Sequence, residues 1–221
     1  MSKSVGNVLD PFLLIEKYGV DYVRYFLVAD IPFGNDGDFT EEAFILRINS
    51  NLANDFGNLA QRVLSMIVKN CEGIIPTPGE FTEEDKAILS LADEALEAMR
   101  AHCQVQSLHK MCEEAILLAR AGNKYIDTQA PWTLSKTDLP RMRTVLYVLA
   151  EVVRRIAVLL EPVMPTSCGK LLTLMNLPEE WTTFASLASK VPPGISIQPP
   201  VPIFPKIETA ESLRKKSKTS K

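Results

Sequence analysis

Four cysteines, Cys71, Cys103, Cys112 and Cys168, are scattered along the chain without a single Cys-x-x-Cys pair. A structural zinc site needs four convergent ligands, and the only histidines are His102 and His109. Glu113 lies one helical turn beyond His109, but no third ligand joins them. No metal site is expected, both histidines read as structural, and the cysteines read as reduced thiols. Positive charge is also scarce: 24 Lys and Arg face 27 Asp and Glu, a net charge of -3. That argues against a broad basic nucleic-acid surface, while leaving room for a polar reader with few phosphate contacts. No apolar run approaches the ~20 residues of a membrane span, so no membrane partner is expected. The start, Met1-Ser2-Lys3-Ser4, carries no secretory h-region. The chain reads as cytoplasmic, with an organelle matrix as the alternative should an N-terminal address be missing. A Gly-rich phosphate loop and internal repeats are absent as well.

What remains is helical periodicity. With 46% hydrophobic and 23% charged residues, a packed core is expected. The stretch 40–70 is the expected axis. Thr40 suits an N-cap, and Glu41 and Glu42 suit the first turn. Phe44, Ile45, Ile48, Leu52, Phe56, Leu59, Val63, Met66 and Ile67 then recur at helical spacing. Asn51, Asn54, Asn58 and Arg62 are expected to share a polar face. Asn is a mediocre helix former, so this ladder suggests a hydrogen-bonding surface, although an Asn–Arg pair one turn apart is on its own a solvated face.

Upstream, Asp10-Pro11 opens a short helix that Gly19 closes, and the aromatic stretch 20–29 predicts a second, buried on most sides. Pro32, Gly34 and Gly37 mark a loop. Downstream, Thr82 with Asp85 approximates a capping box, followed by a helix to about His102 with Ile88, Leu91, Ala95 and Met99 inward. A further helix spans about 106–127. Pro131 biases Ala130 away from helical geometry, which places Trp132 just past a helix end, at a bundle tip. Thr137 or Asp138 caps the next helix, to about Leu160, with Val145, Leu149, Val152, Val153, Ile156 and Leu159 inward. A last helix covers about 166–175. Six prolines from Pro192 to Pro205 mark an extended run. The expected architecture is all-α: a leading piece (1–39), a helical bundle (40–176), an extended Pro-rich segment (177–208) and a disordered basic tail (209–221).

Several blocks are similar to one family. Met1-Ser2-Lys3-Ser4 matches the last four letters of the Lys-Met-Ser-Lys-Ser signature of class I aminoacyl-tRNA synthetases. Val5-Gly6-Asn7-Val8-Leu9-Asp10-Pro11, Tyr18-Gly19-Val20-Asp21-Tyr22-Val23-Arg24-Tyr25 and Asp36-Gly37-Asp38-Phe39 follow in order. Asn54-Asp55-Phe56-Gly57-Asn58-Leu59 and Gln129-Ala130-Pro131-Trp132 complete the set. The chain resembles the C-terminal half of methionyl-tRNA synthetases over about 1–175. Ile203-Phe204-Pro205-Lys206-Ile207-Glu208 is similar to the family's closing segment.

The resemblance implies a stem-contact region followed by an anticodon-binding bundle, with tRNA(Met) as partner. It assigns Met1, Ser2, Lys3 and Ser4 to the ATP-binding loop of the full-length enzyme. There Lys3 would stabilise charge on the phosphates, since a cation where negative charge develops lowers the barrier. Asn58 and Arg62 match anticodon-contacting positions, and Trp132 matches a tryptophan on which an anticodon base stacks. Splayed single-stranded bases are commonly read by such stacking and edge hydrogen bonds. Asp21 and Arg24 are candidates for RNA contact, for contact with the catalytic half, or for mutual pairing. Trp181 reads as cover for apolar surface.

The family's His-Ile-Gly-His-like motif, its Rossmann-type catalytic half, methionine pocket and zinc-binding insertion do not appear. The expectation is therefore a fragment, inactive alone, of a ligase that joins methionine to tRNA using ATP and Mg2+, with no cofactor bound by the fragment itself. The alternatives are a free-standing tRNA-binding or scaffold module, and the bundle of a relative such as the valyl, leucyl, isoleucyl or cysteinyl enzyme.

Overall fold

The computed structural model describes residues 10–34 and 39–208. The signature residues Met1, Ser2, Lys3 and Ser4, the block from Asp36 to Asp38 and the basic tail lie outside the described residues. Among the described residues there is no strand; one isolated bridge pairs Ile74 with Ser196. The fold is all-α.

Local signals set most helix starts. Asp10 accepts from the Phe12 amide at 2.9 Å, Pro11 occupies the first turn, and α1 (Pro11–Tyr18) stops at Gly19 with φ 87°. Helix α2 (Val20–Asp30) follows at once. Thr40 caps α3 (Glu41–Arg47) through the Ala43 amide. Thr82 and Asp85 form the expected capping box of α5 (Glu83–Gln104). Helix α6 spans Leu108–Gln129, α7 Pro131–Thr137, and Asp138 caps α8 (Leu139–Leu160). Helix α9 is Pro165–Leu174.

The helix around which the others pack is α8, rather than the stretch 40–70. Helices α4 (Asn58–Asn70), α5, α6, α7 and α9 all contact it, and every residue from Thr144 to Leu160 is buried. An apolar stripe alone underestimates this helix because its core positions include charges. Glu151 and Arg154 are 0% exposed and Arg155 is 2% exposed. The Glu151 carboxylate accepts from Arg154 Nε at 2.9 Å and Nη2 at 2.7 Å, from Arg155 Nε at 2.6 Å, and from the Val191 amide at 3.1 Å. Arg155 Nη1 lies 2.5 Å from Asp93. Arg154 also donates to the Trp181 and Ser189 carbonyls, and its guanidinium sits 5.8 Å from the centre of the Trp181 ring. Burial would push the Glu151 carboxyl up, but the two guanidiniums hold it below its ordinary value. The buried charges thus tie the C-terminal segment to the hub.

The stretch 40–70 is continuous but not uniformly α-helical. Between α3 and α4, residues Ile48–Gly57 form wide π-type turns, and the Asn58 amide reaches back to the Ala53 carbonyl. Phe44, Ile48, Leu52 and Phe56, spaced strictly by four, are each 0% exposed. A wider turn advances less per residue, so the asparagine ladder does not hold one face. Asn54 and Asn58 are exposed, whereas Asn51 is 7% exposed and donates to the Tyr25 hydroxyl at 3.0 Å. Another difference lies in α5, where Leu89 and Ala92 are buried and Leu91 faces outward at 42% exposure.

The segment 177–208 is not extended throughout: Glu179–Trp181 and Phe184–Ala188 form short 3-10 helices ahead of the prolines that begin at Pro192, and the run is free of helix only beyond them, where those prolines fall. It crosses the loop after α4 by Ile75 N–H to Ile195 O and Ile197 N–H to Gly73 O bonds. Further on, Asn49 brackets the Ile207 backbone with two hydrogen bonds, Tyr22 donates to the Pro205 carbonyl, and Phe204 packs on Phe56 at 5.2 Å between ring centres. Asp21 and Arg24 do not pair with each other. Asp21 accepts from the Ser167 amide in the first turn of α9, and Arg24 donates to the Pro162 and Val163 carbonyls.

Candidate nucleic-acid interface

Asn58 is the first residue of α4, and Arg62 follows one turn later. From here the helix is regular, so the two side chains share a face. Asn58 is exposed. Trp132 arrives from another part of the chain. Helix α6 ends at Gln129; Ala130 turns the backbone left-handed at φ 43° and ψ 59°; Pro131 begins α7. Trp132 therefore stands in the first turn of α7, just beyond the end of α6, at 44% exposure.

Arg62 and Trp132 meet. The guanidinium carbon lies 5.4 Å from the centre of the indole ring, and Nη2 lies 2.5 Å from Asp127 Oδ1. Cation–π contacts at exposed sites contribute about 0.5–1 kcal/mol, and a surface ion pair contributes about 0–1 kcal/mol. The arginine is held without being committed. Asp127, on α6, is the member of this patch that the sequence did not single out. It precedes Trp132 by five residues, and its approach to Arg62 exists only once α4 and α6 are side by side. The patch offers an indole face, a guanidinium fork and an exposed amide, a set able to stack an unpaired base and bond its edges.

Asn51 is not part of this patch. It lines a separate polar cavity of about 260 Å³ with Tyr25, Arg47, His109, Glu113 and Arg120. His102 bonds Glu114 at 3.1 Å. All four cysteines are free thiols, and no group of three or more potential metal ligands occurs among the described residues. No helix among them is long and apolar enough to cross a membrane.

The corner bearing Trp132 is braced from two other helices. Asp85, at 0% exposure, accepts from the Thr82 amide at 3.0 Å, from the Tyr125 hydroxyl, and from Arg141 Nη1 and Nη2 at 2.5 and 2.7 Å. Arg141 Nη2 also donates to Gln129 Oε1 at 2.7 Å. Burial alone would raise the Asp85 carboxyl, but Arg141 and Tyr125 hold it below its ordinary value.

Residues 75–220 match the family model described as the anticodon binding domain of methionyl tRNA ligase, and residues 1–64 match that of class I tRNA synthetases (M). The methionine–tRNA ligase of Brucella suis biovar 1 is 50% identical over 212 residues, which cover 96% of this chain and 41% of that protein. The Mycobacterium tuberculosis H37Rv ligase is 47% identical over 212 residues, 94% of this chain and 41% of the relative. The chain thus spans about two fifths of the length of the curated relatives it matches. Among solved structures, M. tuberculosis methionyl-tRNA synthetase in complex with methionyl-adenylate superposes with a TM-score of 0.90 at 48% identity, covering 93% of this chain and 41% of the other. Its apo form gives 0.88 at 45% identity, covering 91% and 42%. This chain aligns with the C-terminal, anticodon-binding region of those proteins, and it belongs to the methionyl-tRNA ligase family.

Proposed function

We propose that this chain is the tRNA-binding part of a ligase that joins methionine to tRNA(Met), and that Asn58, Arg62 and Trp132 read the anticodon. The observation that carries this reading is the contact of Arg62 with a Trp132 ring that remains 44% exposed. The guanidinium lies over the ring, 5.4 Å from its centre, while 44% of the residue stays open to solvent, which leaves indole surface on which a base can stack. A base stacked on the ring gains about 1–3 kcal/mol, while Asn58 and Arg62, one turn apart, reach its edge or its neighbour's.

In the full-length protein, Met1, Ser2, Lys3 and Ser4 would serve ATP and its Mg2+, with Lys3 as the cation that offsets charge developing on the phosphates. Activation of methionine needs a Rossmann-type catalytic half, so the chain by itself gives no ATP–pyrophosphate exchange. Residues 1–39 act as the region contacting the tRNA stem, 40–176 as the anticodon-binding bundle, and 177–208 as a strap over it.

The test is affinity for tRNA(Met) and for transcripts differing only in anticodon. Trp132→Ala is expected to weaken binding about 5–150-fold, the range set by one stacked base, with little change in melting temperature. Asn58→Ala and Arg62→Ala act in the same direction, non-additively with Trp132→Ala, because all three meet one RNA loop. A large drop in melting temperature with unchanged affinity refutes the reading.

A further inference from the structure

We infer that Gln129 and Arg141 are positioning residues for Trp132: Arg141, locked on buried Asp85, holds the Gln129 side chain and so fixes the turn from which the indole projects. The inference rests on the anticodon reading of Trp132, and it adds residues that make no contact with RNA.

The turn at Ala130 needs an external constraint. A residue preceding proline is pushed toward extended backbone, and a non-glycine residue holds the left-handed conformation only where its surroundings impose it. Ala130 is in that conformation at φ 43°. An extended Ala130 would swing α7 and carry Trp132 away from Arg62. The last side chain before this turn is Gln129, and its amide oxygen takes a 2.7 Å bond from Arg141.

Arg141 is suited to serve as a fixed point. Its side chain is 18% exposed, and both terminal nitrogens bond the fully buried Asp85 carboxylate. That carboxylate already has the Thr82 amide and the Tyr125 hydroxyl as further donors. Gln129 is therefore not required to satisfy Asp85, and the bond to it instead ties the end of α6 to α5 and α8 at one point. Helix α6 has no basic residue in its own last turn. The Arg141 guanidinium supplies a cation there, where the helix dipole favours one.

The experiment uses the 221-residue chain with Trp181→Phe, which leaves Trp132 as its single tryptophan. In that background, Gln129→Met keeps the side-chain length and removes the amide acceptor. Arg141→Lys keeps the charge but cannot span Asp85 and Gln129 with a planar fork. Both variants are expected to lower the fluorescence anisotropy of Trp132, raise its quenching by acrylamide, and weaken binding of an anticodon stem-loop of methionine tRNA about fivefold, part of one base's stacking contribution. For Gln129→Met the melting temperature should not move. Unchanged anisotropy and affinity in Gln129→Met overturn the positioning role, whether or not the melting temperature falls. Trp132→Ala separates the two ideas. If it weakens RNA binding while Gln129→Met does not, only the positioning role fails. If Gln129→Met loosens the indole while Trp132→Ala leaves affinity intact, the anticodon reading fails and the positioning role stands.

Discussion

Gly57→Ala should destabilise this protein, against the usual rule for helices. Replacing a glycine inside a helix by alanine ordinarily stabilises by about 0.5–1 kcal/mol, because glycine has more backbone entropy to lose. Gly57 closes the wide-turn segment, and its backbone is helical, so conformation does not forbid a side chain. Space does. A β-carbon there would lie 2.8 Å from the Leu52 carbonyl oxygen, 3.1 Å from Phe204 Cβ and 3.4 Å from the Phe204 carbonyl oxygen. The first is backbone of the same segment and the others belong to the strap crossing it, so none can rotate aside. Overpacking of this kind costs about 1–3 kcal/mol; less the intrinsic gain, the net loss centres on about 1 kcal/mol and reaches about 2.5 kcal/mol. For a chain of this size each kcal/mol moves the melting temperature by about 2–4 °C, so a fall centred on about 2–4 °C, and of at most about 10 °C, is expected. Gly169 is the control. It lies inside α9, and a β-carbon added to it would meet nothing within 4 Å, so Gly169→Ala should follow the rule and stabilise by about 0.5–1 kcal/mol. Circular dichroism melts of both variants decide. A Gly57→Ala protein that melts at or above the parent temperature refutes the close approach of strap and helix.

Two further perturbations address the buried charges. Glu151→Gln leaves the Arg154 and Arg155 guanidiniums inside the core without their shared anion, and a loss of about 3–5 kcal/mol is expected in urea unfolding, since breaking a buried pair strands its partner; a loss under about 1 kcal/mol would mean that the guanidiniums are otherwise satisfied. Asp85 and Glu151 both have folded carboxyl pKa values held below the ordinary range, so the unfolded state binds more protons and stability rises with pH. Their contribution is complete above about pH 4.5, the unfolded carboxylate range, and is lost as pH falls through the lower folded values. Asp85→Asn should flatten that acid limb in pH-dependent melts, and an unchanged limb would remove Asp85 from it.

The parts of this fold that could be read in the sequence are those fixed by neighbours along the chain. Asp10-Pro11, Thr82 with Asp85, and Asp138 with Pro140 begin helices because a cap needs only the next three amides. What escaped is set by other elements. The burial of α8 on all sides depends on two carboxylates, Glu151 and Asp93, offsetting the Arg154 and Arg155 guanidiniums, and an apolar stripe does not register them. Asn51 left the expected ladder because the turns from Ile48 to Gly57 are wide. The strict four-residue spacing of Phe44, Ile48, Leu52 and Phe56, a poor match to 3.6 residues per turn, was the one local sign of it. Asp127 reaches Arg62, and Arg141 reaches Gln129, only where α4, α5, α6 and α8 meet.

The wide turns and the candidate site are one arrangement. Upstream of Gly57, a spacing of four keeps four large side chains on the core while Asn51 turns inward to Tyr25. Downstream, α4 resumes ordinary pitch at Asn58, and Asn58 and Arg62 are the first two positions on its outward face. Where that face points is set by how many residues the wide segment uses. Each residue of an α-helix turns the chain by about 100°, so removing one from the segment would carry Arg62 off the indole that α7 presents. The strap fixes that register from outside: Phe204 lies against Phe56 and against the place a Gly57 side chain would take, and Asn49 grips the Ile207 backbone. The C-terminal prolines, which read in the sequence only as an extended run, therefore belong to a strap packed on the segment immediately before Asn58 and Arg62.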